Sequence, residues 1–207
     1  MICVPRGALF DETVQCLETA GLDGQPLREI GPRLVVDAGD VRYITTRPSD
    51  VGTYVESGAA DVGIVGTDVI REYQPDVDEL LDLGYGGCRM IYATVGGDDP
   101  TPDALTHFGA VRVATKYVNA ARRYFAETGR PVEVVKVNGS VELAPLVGLA
   151  DGIVDLTATG RTLVENGLVE REEIFLSSAR LIANRVSHKT KSALIDDLQR
   201  RLSEALA

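Results

Sequence analysis

Apolar positions recur along the chain in two rhythms. Short β-branched runs read as buried strands, and stretches with apolar residues three and four apart read as amphipathic helices. The runs fall at 2–4, 34–37, 41–45, 62–65, 88–95, 111–114, 132–136 and 153–156. The helical stretches fall at 8–20, 51–57, 120–128, 141–147, 162–166 and 187–206. Gly, Asp and Thr punctuate most joins. This alternation predicts an α/β fold with mainly parallel sheets.

Local chemistry marks several helix ends. Asp50 is a candidate cap for the helix beginning near Val51, and Asn119 for the one beginning at Ala120. Gly129-Arg130-Pro131 stops that second helix, because glycine suits its end and proline cannot extend it. In the last stretch Ala193, Leu194, Leu198, Leu202, Ala205 and Leu206 are spaced as one apolar stripe. The most linker-like segment is Gly96-Gly97-Asp98-Asp99-Pro100-Thr101-Pro102, near the midpoint, with a second α/β set after it. Two lobes with a cleft between them are the natural expectation. Periodicity does not say to which lobe the last helix belongs.

Composition narrows the function classes. The 207 residues are 44% hydrophobic and 25% charged, ordinary values for a globular protein. No apolar run approaches the roughly 18 residues a membrane helix needs. Met1-Ile2-Cys3-Val4-Pro5 does not read as a signal peptide, so the expectation is a cytoplasmic protein without a membrane role. Cys3, Cys16 and Cys88 are scattered, and His107 and His188 are isolated, which argues against a zinc site or a disulfide framework. The formal charge of −10 argues against a nucleic-acid surface. It leaves phosphate ligands open, since backbone N–H groups and a few arginines bind phosphate on an acidic protein.

One segment concentrates such chemistry. Asp151-Gly152-Ile153-Val154-Asp155-Leu156-Thr157-Ala158-Thr159-Gly160-Arg161-Thr162-Leu163 reads as an apolar strand ending in an acid, a Thr/Gly loop, then a helix. Backbone N–H groups and hydroxyls converge in such a loop, and a phosphate monoester fits there. Asp155 falls at the carboxyl end of the strand, where ligands bind in α/β sheets, and a carboxylate there can hold ribose hydroxyls. A plain strand–loop–helix join with an acidic cap is an equal reading of the spacing.

The same segment resembles the phosphoribosyl pyrophosphate loop of phosphoribosyltransferases. Two blocks before it, Ala114-Thr115-Lys116-Tyr117-Val118-Asn119-Ala120-Ala121-Arg122 and Gly139-Ser140-Val141-Glu142-Leu143-Ala144-Pro145-Leu146, are similar to blocks of the ATP phosphoribosyltransferase family, in the same order. So are Gly58-Ala59-Ala60-Asp61-Val62-Gly63-Ile64-Val65-Gly66-Thr67-Asp68, Asp82-Leu83-Gly84 with Cys88-Arg89, and Ser178-Ala179-Arg180-Leu181-Ile182-Ala183-Asn184. The resemblance spans essentially the whole chain and is closest to the short-form catalytic subunit.

The resemblance implies a two-lobed type II periplasmic-binding-protein-like fold with a central cleft. Residues 1–92 and 177–207 would form the nucleotide-side lobe, residues 93–176 the phosphoribosyl pyrophosphate side, and no C-terminal regulatory domain would follow. It implies transfer of phosphoribosyl from phosphoribosyl pyrophosphate to N1 of ATP, the first step of histidine biosynthesis. Mg²⁺ would arrive on the pyrophosphate and ATP. The implied partner is a regulatory subunit related to histidyl-tRNA synthetase, in a hetero-oligomer of hetero-octamer type around a homodimer core.

Carried over residue by residue, Thr159, Gly160, Arg161 and Thr162 would cradle the 5′-phosphate, with Thr157 beside them. Asp155 and Glu142 would hold the ribose hydroxyls, although Glu142 also suits a helix start. Arg6, in Arg6-Gly7, would face phosphate. Arg33 and Arg47 are further substrate candidates, and Arg47 also reads as a solvated charge. Asp68 reads equally as a nucleotide contact or a helix cap, and Lys116 as a cleft residue. Two departures stand out: Ala8 replaces a second basic residue after the first strand, and Pro32 leaves Arg33 alone where the family often carries an Arg-Lys pair. A nucleotide-binding or sensor paralogue of the same fold, with weak or no catalysis, is the competing reading.

Overall fold

The structure is a computed structural model that describes residues 1–206. It divides into two compact units, Met1–Gly87 with the chain from Ser178 onward, and Cys88–Ser177.

The first unit begins with β1 (Ile2–Pro5), α1 (Phe10–Thr19), α2 (Gln25–Arg28), β2 (Val35–Ala38) and β3 (Val41–Thr46). It continues with α3 (Pro48–Glu56), β4 (Val62–Gly66), α4 (Thr67–Tyr73) and β5 (Val77–Asp82). The second unit holds β6 (Cys88–Val95), α5 (Thr101–Phe108), β7 (Val111–Thr115), α6 (Val118–Glu127), β8 (Val132–Lys136), α7 (Leu143–Leu146), β9 (Gly152–Thr157), α8 (Arg161–Glu165) and β10 (Leu168–Ser177). The chain then returns as β11 (Ala179–Asn184), α9 (Arg185–Thr190) and α10 (Ser192–Ala205).

Each unit is built on one mixed sheet. The orders are β2-β3-β1-β4-β11-β5 and β10-β6-β9-β7-β8. The parallel pairs are β3-β1, β1-β4, β9-β7 and β7-β8. The remaining pairs are antiparallel. The expectation of mainly parallel sheets is corrected here, for a physical reason. The inner strands β1, β4 and β7 are buried along nearly their whole length and show as apolar runs. The unforeseen β5, β10 and β11 include edge strands such as Val77–Asp82, half covered and mixed in polarity.

Alternation along the strands sends side chains into separate cores. In β1, Ile2 and Val4 join Val14, Leu17, Ile195 and Leu202 under α1 and α10, while Cys3 points into the cluster of Val51, Val55 and Val69 under α3 and α4. In β9, Val154 joins Ala120, Ala121 and Phe125 under α6, while Ile153 joins Ala144 and Leu163 under α7 and α8.

Several local expectations change. Helix α3 starts at Pro48, so Asp50 lies inside its first turn and Arg47 takes the cap position. Helix α6 starts at Val118, so Asn119 lies inside it, and the Thr115 hydroxyl accepts from the Tyr117 N–H instead. Gly129 does end α6, with a φ of 67° that glycine tolerates. The segment from Gly96 to Pro102 lies inside the second unit, where the Asp99 carboxylate accepts from the Thr101 N–H and hydroxyl at the start of α5. The single last helix is two, and its buried stripe is Ile195 and Leu202 with Leu198 and Ala205 beside them. Leu194 is 73% exposed and does not belong to it.

Candidate active site

Strand β9 carries the site, and its sequence explains its position. Gly152 lets β9 lie against β6: a Cβ there would stand 2.6 Å from a Tyr92 ring carbon and 2.8 Å from the Ala93 carbonyl oxygen. Ile153 and Val154 then anchor the strand on its two faces, both fully buried. Period-two alternation puts Asp155 on the Ile153 face, toward α7 and α8. The strand runs out at Thr157, and the chain turns. The Thr157 hydroxyl accepts from the Gly160 N–H at 2.8 Å, and the Thr159 hydroxyl from the Arg161 N–H at 3.4 Å. Gly160 has a φ of 74°, which a side chain would strain.

This turn walls a pocket of about 230 Å³. Glu142, Asp155, Thr157, Ala158, Thr159, Arg161 and Thr162 line it, with Ile91, Leu156 and Leu163 as its apolar part. The structure therefore gathers Glu142, Asp155 and the Thr157–Thr162 segment around one volume. The Arg161 guanidinium is turned to Glu165 at 2.7 Å and its side chain is 81% exposed.

Asp155 brings a buried carboxylate oxygen to this pocket. Its Oδ1 is buried and has no hydrogen-bond partner among the described residues. The Lys116 Nζ stands 3.8 Å away, beyond hydrogen-bonding distance. Burial lifts the Asp155 carboxyl above the usual carboxylate value; the Lys116 charge and the Leu156 N–H pull it back, and Glu142 adds to the rise. A buried acceptor without a donor is costly, and a ligand hydroxyl that enters the pocket supplies the missing donor.

The other candidates belong to the first unit. The Arg6 Nε donates to the Thr45 hydroxyl at 3.0 Å, and its Nη2 donates to the carbonyls of Gly31, at 3.2 Å, and Arg33. Arg6 thus straps the loop on either side of Pro32. The Arg33 guanidinium donates to the carbonyls of Ile30, at 3.2 Å, and Glu29, at 2.9 Å. Arg47 is exposed at the start of α3, and Asp68 is buried in the first turn of α4.

The sequence reading left Ile91 and the proximity of Lys116 to Asp155 unseen. A signal for the second existed. Strands β7 and β9 are parallel with Ala114 opposite Ile153, and two residues further on Lys116 meets Asp155. Among the described residues no cluster of three or more His, Cys, Asp or Glu could hold a metal ion, and no helix is long and apolar enough to cross a membrane.

The architecture places the chain in the two-lobed, type II periplasmic-binding-protein-like class of α/β proteins. The aliphatic sulphonate binding protein SsuA of Escherichia coli shares this fold at a TM-score of 0.62, with 13% identity over 100% of this chain and 68% of that one. Residues 47–204 match the HisG family, ATP phosphoribosyltransferase. An ATP phosphoribosyltransferase of Rubrobacter xylanophilus is 54% identical over 95% of this chain and 92% of its own. That of Caldanaerobacter subterraneus is 44% identical over 99% and 96%. In a solved HisG:HisZ complex of ATP phosphoribosyl transferase from Thermotoga maritima, the matching chain superposes at a TM-score of 0.84, with 32% identity and 99% and 97% coverage. The chain belongs to the ATP phosphoribosyltransferase family, which makes it an enzyme of the glycosyltransferase kind.

Proposed function

We propose that the pocket at the carboxyl end of β9 binds the phosphoribosyl group of phosphoribosyl pyrophosphate, which the protein transfers to N1 of ATP with release of pyrophosphate. This is the opening step of histidine biosynthesis. The observation that carries the assignment of the pocket is the Asp155 Oδ1, buried at the pocket wall without a donor. A ribose hydroxyl is the donor it lacks.

In this reading Asp155 and Glu142 fix the ribose ring through its hydroxyls. The hydroxyls of Thr159 and Thr162 and the backbone N–H groups of the turn hold the 5′-phosphate, with Thr157 bracing the turn from within. The N1 lone pair of adenine is already free, so no side chain has to remove a proton from it. Positive charge grows on the ribose as pyrophosphate departs, and the two carboxylates beside the ring favour that charge. Catalysis rests on orientation and electrostatics. Mg²⁺ enters as part of the pyrophosphate and ATP substrates. Arg47 and Asp68 are the nucleotide candidates of the first unit, and Arg6 and Arg33 act by shaping the loop about Pro32.

The T. maritima relative is found in a HisG:HisZ complex. That likeness supports a regulatory partner subunit for this chain; the cytoplasm as its location and a hetero-octamer around a homodimer are further parts of the proposal. The test is to mix the protein with ATP, phosphoribosyl pyrophosphate and Mg²⁺, with and without a candidate regulatory subunit, and follow phosphoribosyl-ATP by absorbance. Product formation that rises with the partner is expected. Absence of product under both conditions contradicts the reading.

A further inference from the structure

The Asp155 site contains an ion pair with an unusual geometry. The Lys116 ammonium lies 3.8 Å from the Asp155 Oδ1, close enough for strong attraction and too far for a hydrogen bond. Two features hold it there. The parallel register of β7 and β9 brings Lys116 alongside Asp155 just past the strand ends. The ammonium also rests 4.9 Å from the centre of the Tyr117 ring, a cation–π distance. Tyr117 is itself 8% exposed, and its N–H is bonded to the Thr115 hydroxyl. Lys116 is not among the residues that line the pocket.

We propose that Lys116 is a positioning residue for the sugar-phosphate site, keeping the Asp155 carboxylate charged while leaving its buried oxygen open to a ribose hydroxyl. This rests on the proposed function and goes beyond it, because it assigns Lys116 to the carboxylate and not to the substrate. A direct hydrogen bond from Lys116 would compete with the sugar for the acceptor sites of that buried oxygen. A neutral residue would leave a buried acid facing a second acid, Glu142. At 3.8 Å the ammonium supplies charge without occupying the acceptor.

The other charged groups about Asp155 do not perform this service. Arg161, on the α8 side, pairs with Glu165. On the β6 side Ile91 is the residue opposite Asp155, and Arg89, opposite Thr157, pairs with Glu170 and Glu173. Glu142 raises the Asp155 value together with burial, and Lys116 is the charge that opposes both.

Two measurements test this. The first follows the Asp155 carboxyl carbon by NMR from about pH 4 to 8 in the ligand-free protein and in Lys116→Met. The substitution is expected to raise the midpoint by about one pH unit. The second measures affinity for phosphoribosyl pyrophosphate and for ribose 5-phosphate by calorimetry at acidic and at mildly alkaline pH. Lys116→Met is expected to lose up to roughly tenfold in affinity for both ligands at the acidic pH, and little at the alkaline one. Lys116→Arg should restore the wild-type profile. In an Asp155→Asn background Lys116→Met should have no pH-dependent effect. An unmoved Asp155 midpoint overturns the proposal. So does a loss that is equal at both pH values, or one confined to the pyrophosphorylated sugar, which would mean direct contact with the leaving group. If the wild type binds neither ligand, the proposed function fails, while the NMR midpoint still decides whether Lys116 holds Asp155.

Discussion

Asp61 and Asp155 are both aspartates beside buried strands, each in a segment that resembles a family block, yet their surroundings are opposite. Asp61, just before β4, accepts from the N-terminal amine at 2.7 Å, the Ser187 hydroxyl at 2.7 Å and Lys191 at 2.8 Å. Burial works against its charge, but the hydrogen bonds from Lys191, the N-terminus and Ser187 outweigh it and hold the carboxyl well below the usual range. Asp155 has one cation at 3.8 Å and a buried oxygen with no donor, and its carboxyl is lifted. An acid whose charge is fully answered by its own chain ties elements together: here β4, α9 and the N-terminus. An acid left unanswered at a pocket wall costs stability and awaits a ligand. Motif resemblance alone does not separate the two roles; their hydrogen bonds do.

The largest expected effect concerns the unanswered acid. Asp155→Asn should weaken phosphoribosyl pyrophosphate binding by about 1.5–3 kcal/mol, or roughly ten- to a hundredfold, because it removes a charged acceptor. Isothermal calorimetry checks this, and unchanged affinity would break the contrast at its functional end.

The next concerns the answered acid. Asp61→Asn should destabilise the protein by about 1–3 kcal/mol at neutral pH, with a fall in Tm of about 3–10 °C. The folded value of Asp61 lies below the ordinary one, so its contribution is complete above about pH 4 and shrinks as the pH falls toward the lowered value. The difference in Tm between wild type and Asp61→Asn should therefore narrow on acidification, as a calorimetric series would show.

Thr162→Ala should cost about 1 kcal/mol of ligand binding, or roughly fivefold, with the fold intact by circular dichroism. The smallest effect has the opposite sign to that of Asp61. The folded value of Asp155 is raised, so ionising it costs more in the folded chain, and stability declines as pH rises from the ordinary carboxylate value through the raised one. Asp155→Asn removes that cost and should raise Tm at neutral pH slightly, by less than about 1 kcal/mol of stability. A lowered Tm would show that Asp155 contributes to the fold as Asp61 does.

Much of the fold was legible because strands rich in β-branched and aliphatic residues leave short apolar runs. Cys88–Val95 and Val132–Lys136 have the bounds that their sequence predicts. The half-covered strands were not legible. In Leu168–Ser177, Glu170, Glu172 and Glu173 interrupt the apolar positions, and two register irregularities break the alternation. The break between α9 and α10 at Lys191 was hidden by a continuous helical composition, whereas the start of α9 had a local signal in Asn184, whose side chain caps it by accepting from the Val186 and Ser187 N–H groups. For the site, the turn at Thr157–Thr162 and the acid before it could be read from spacing. The isolation of Asp155 could not, because it depends on what neighbouring strands place beside it. The strapping of the Pro32 loop by Arg6 was equally hidden, since those residues meet only once β1 and β3 pair in parallel.

The most direct measurement is a crystal structure of this chain with phosphoribosyl pyrophosphate bound. A ribose hydroxyl donating to the Asp155 carboxylate, with the 5′-phosphate seated on the turn from Thr159 to Thr162, is the expected result. A sugar bound elsewhere, with the Asp155 oxygen still lacking a donor and that turn vacant, would contradict it.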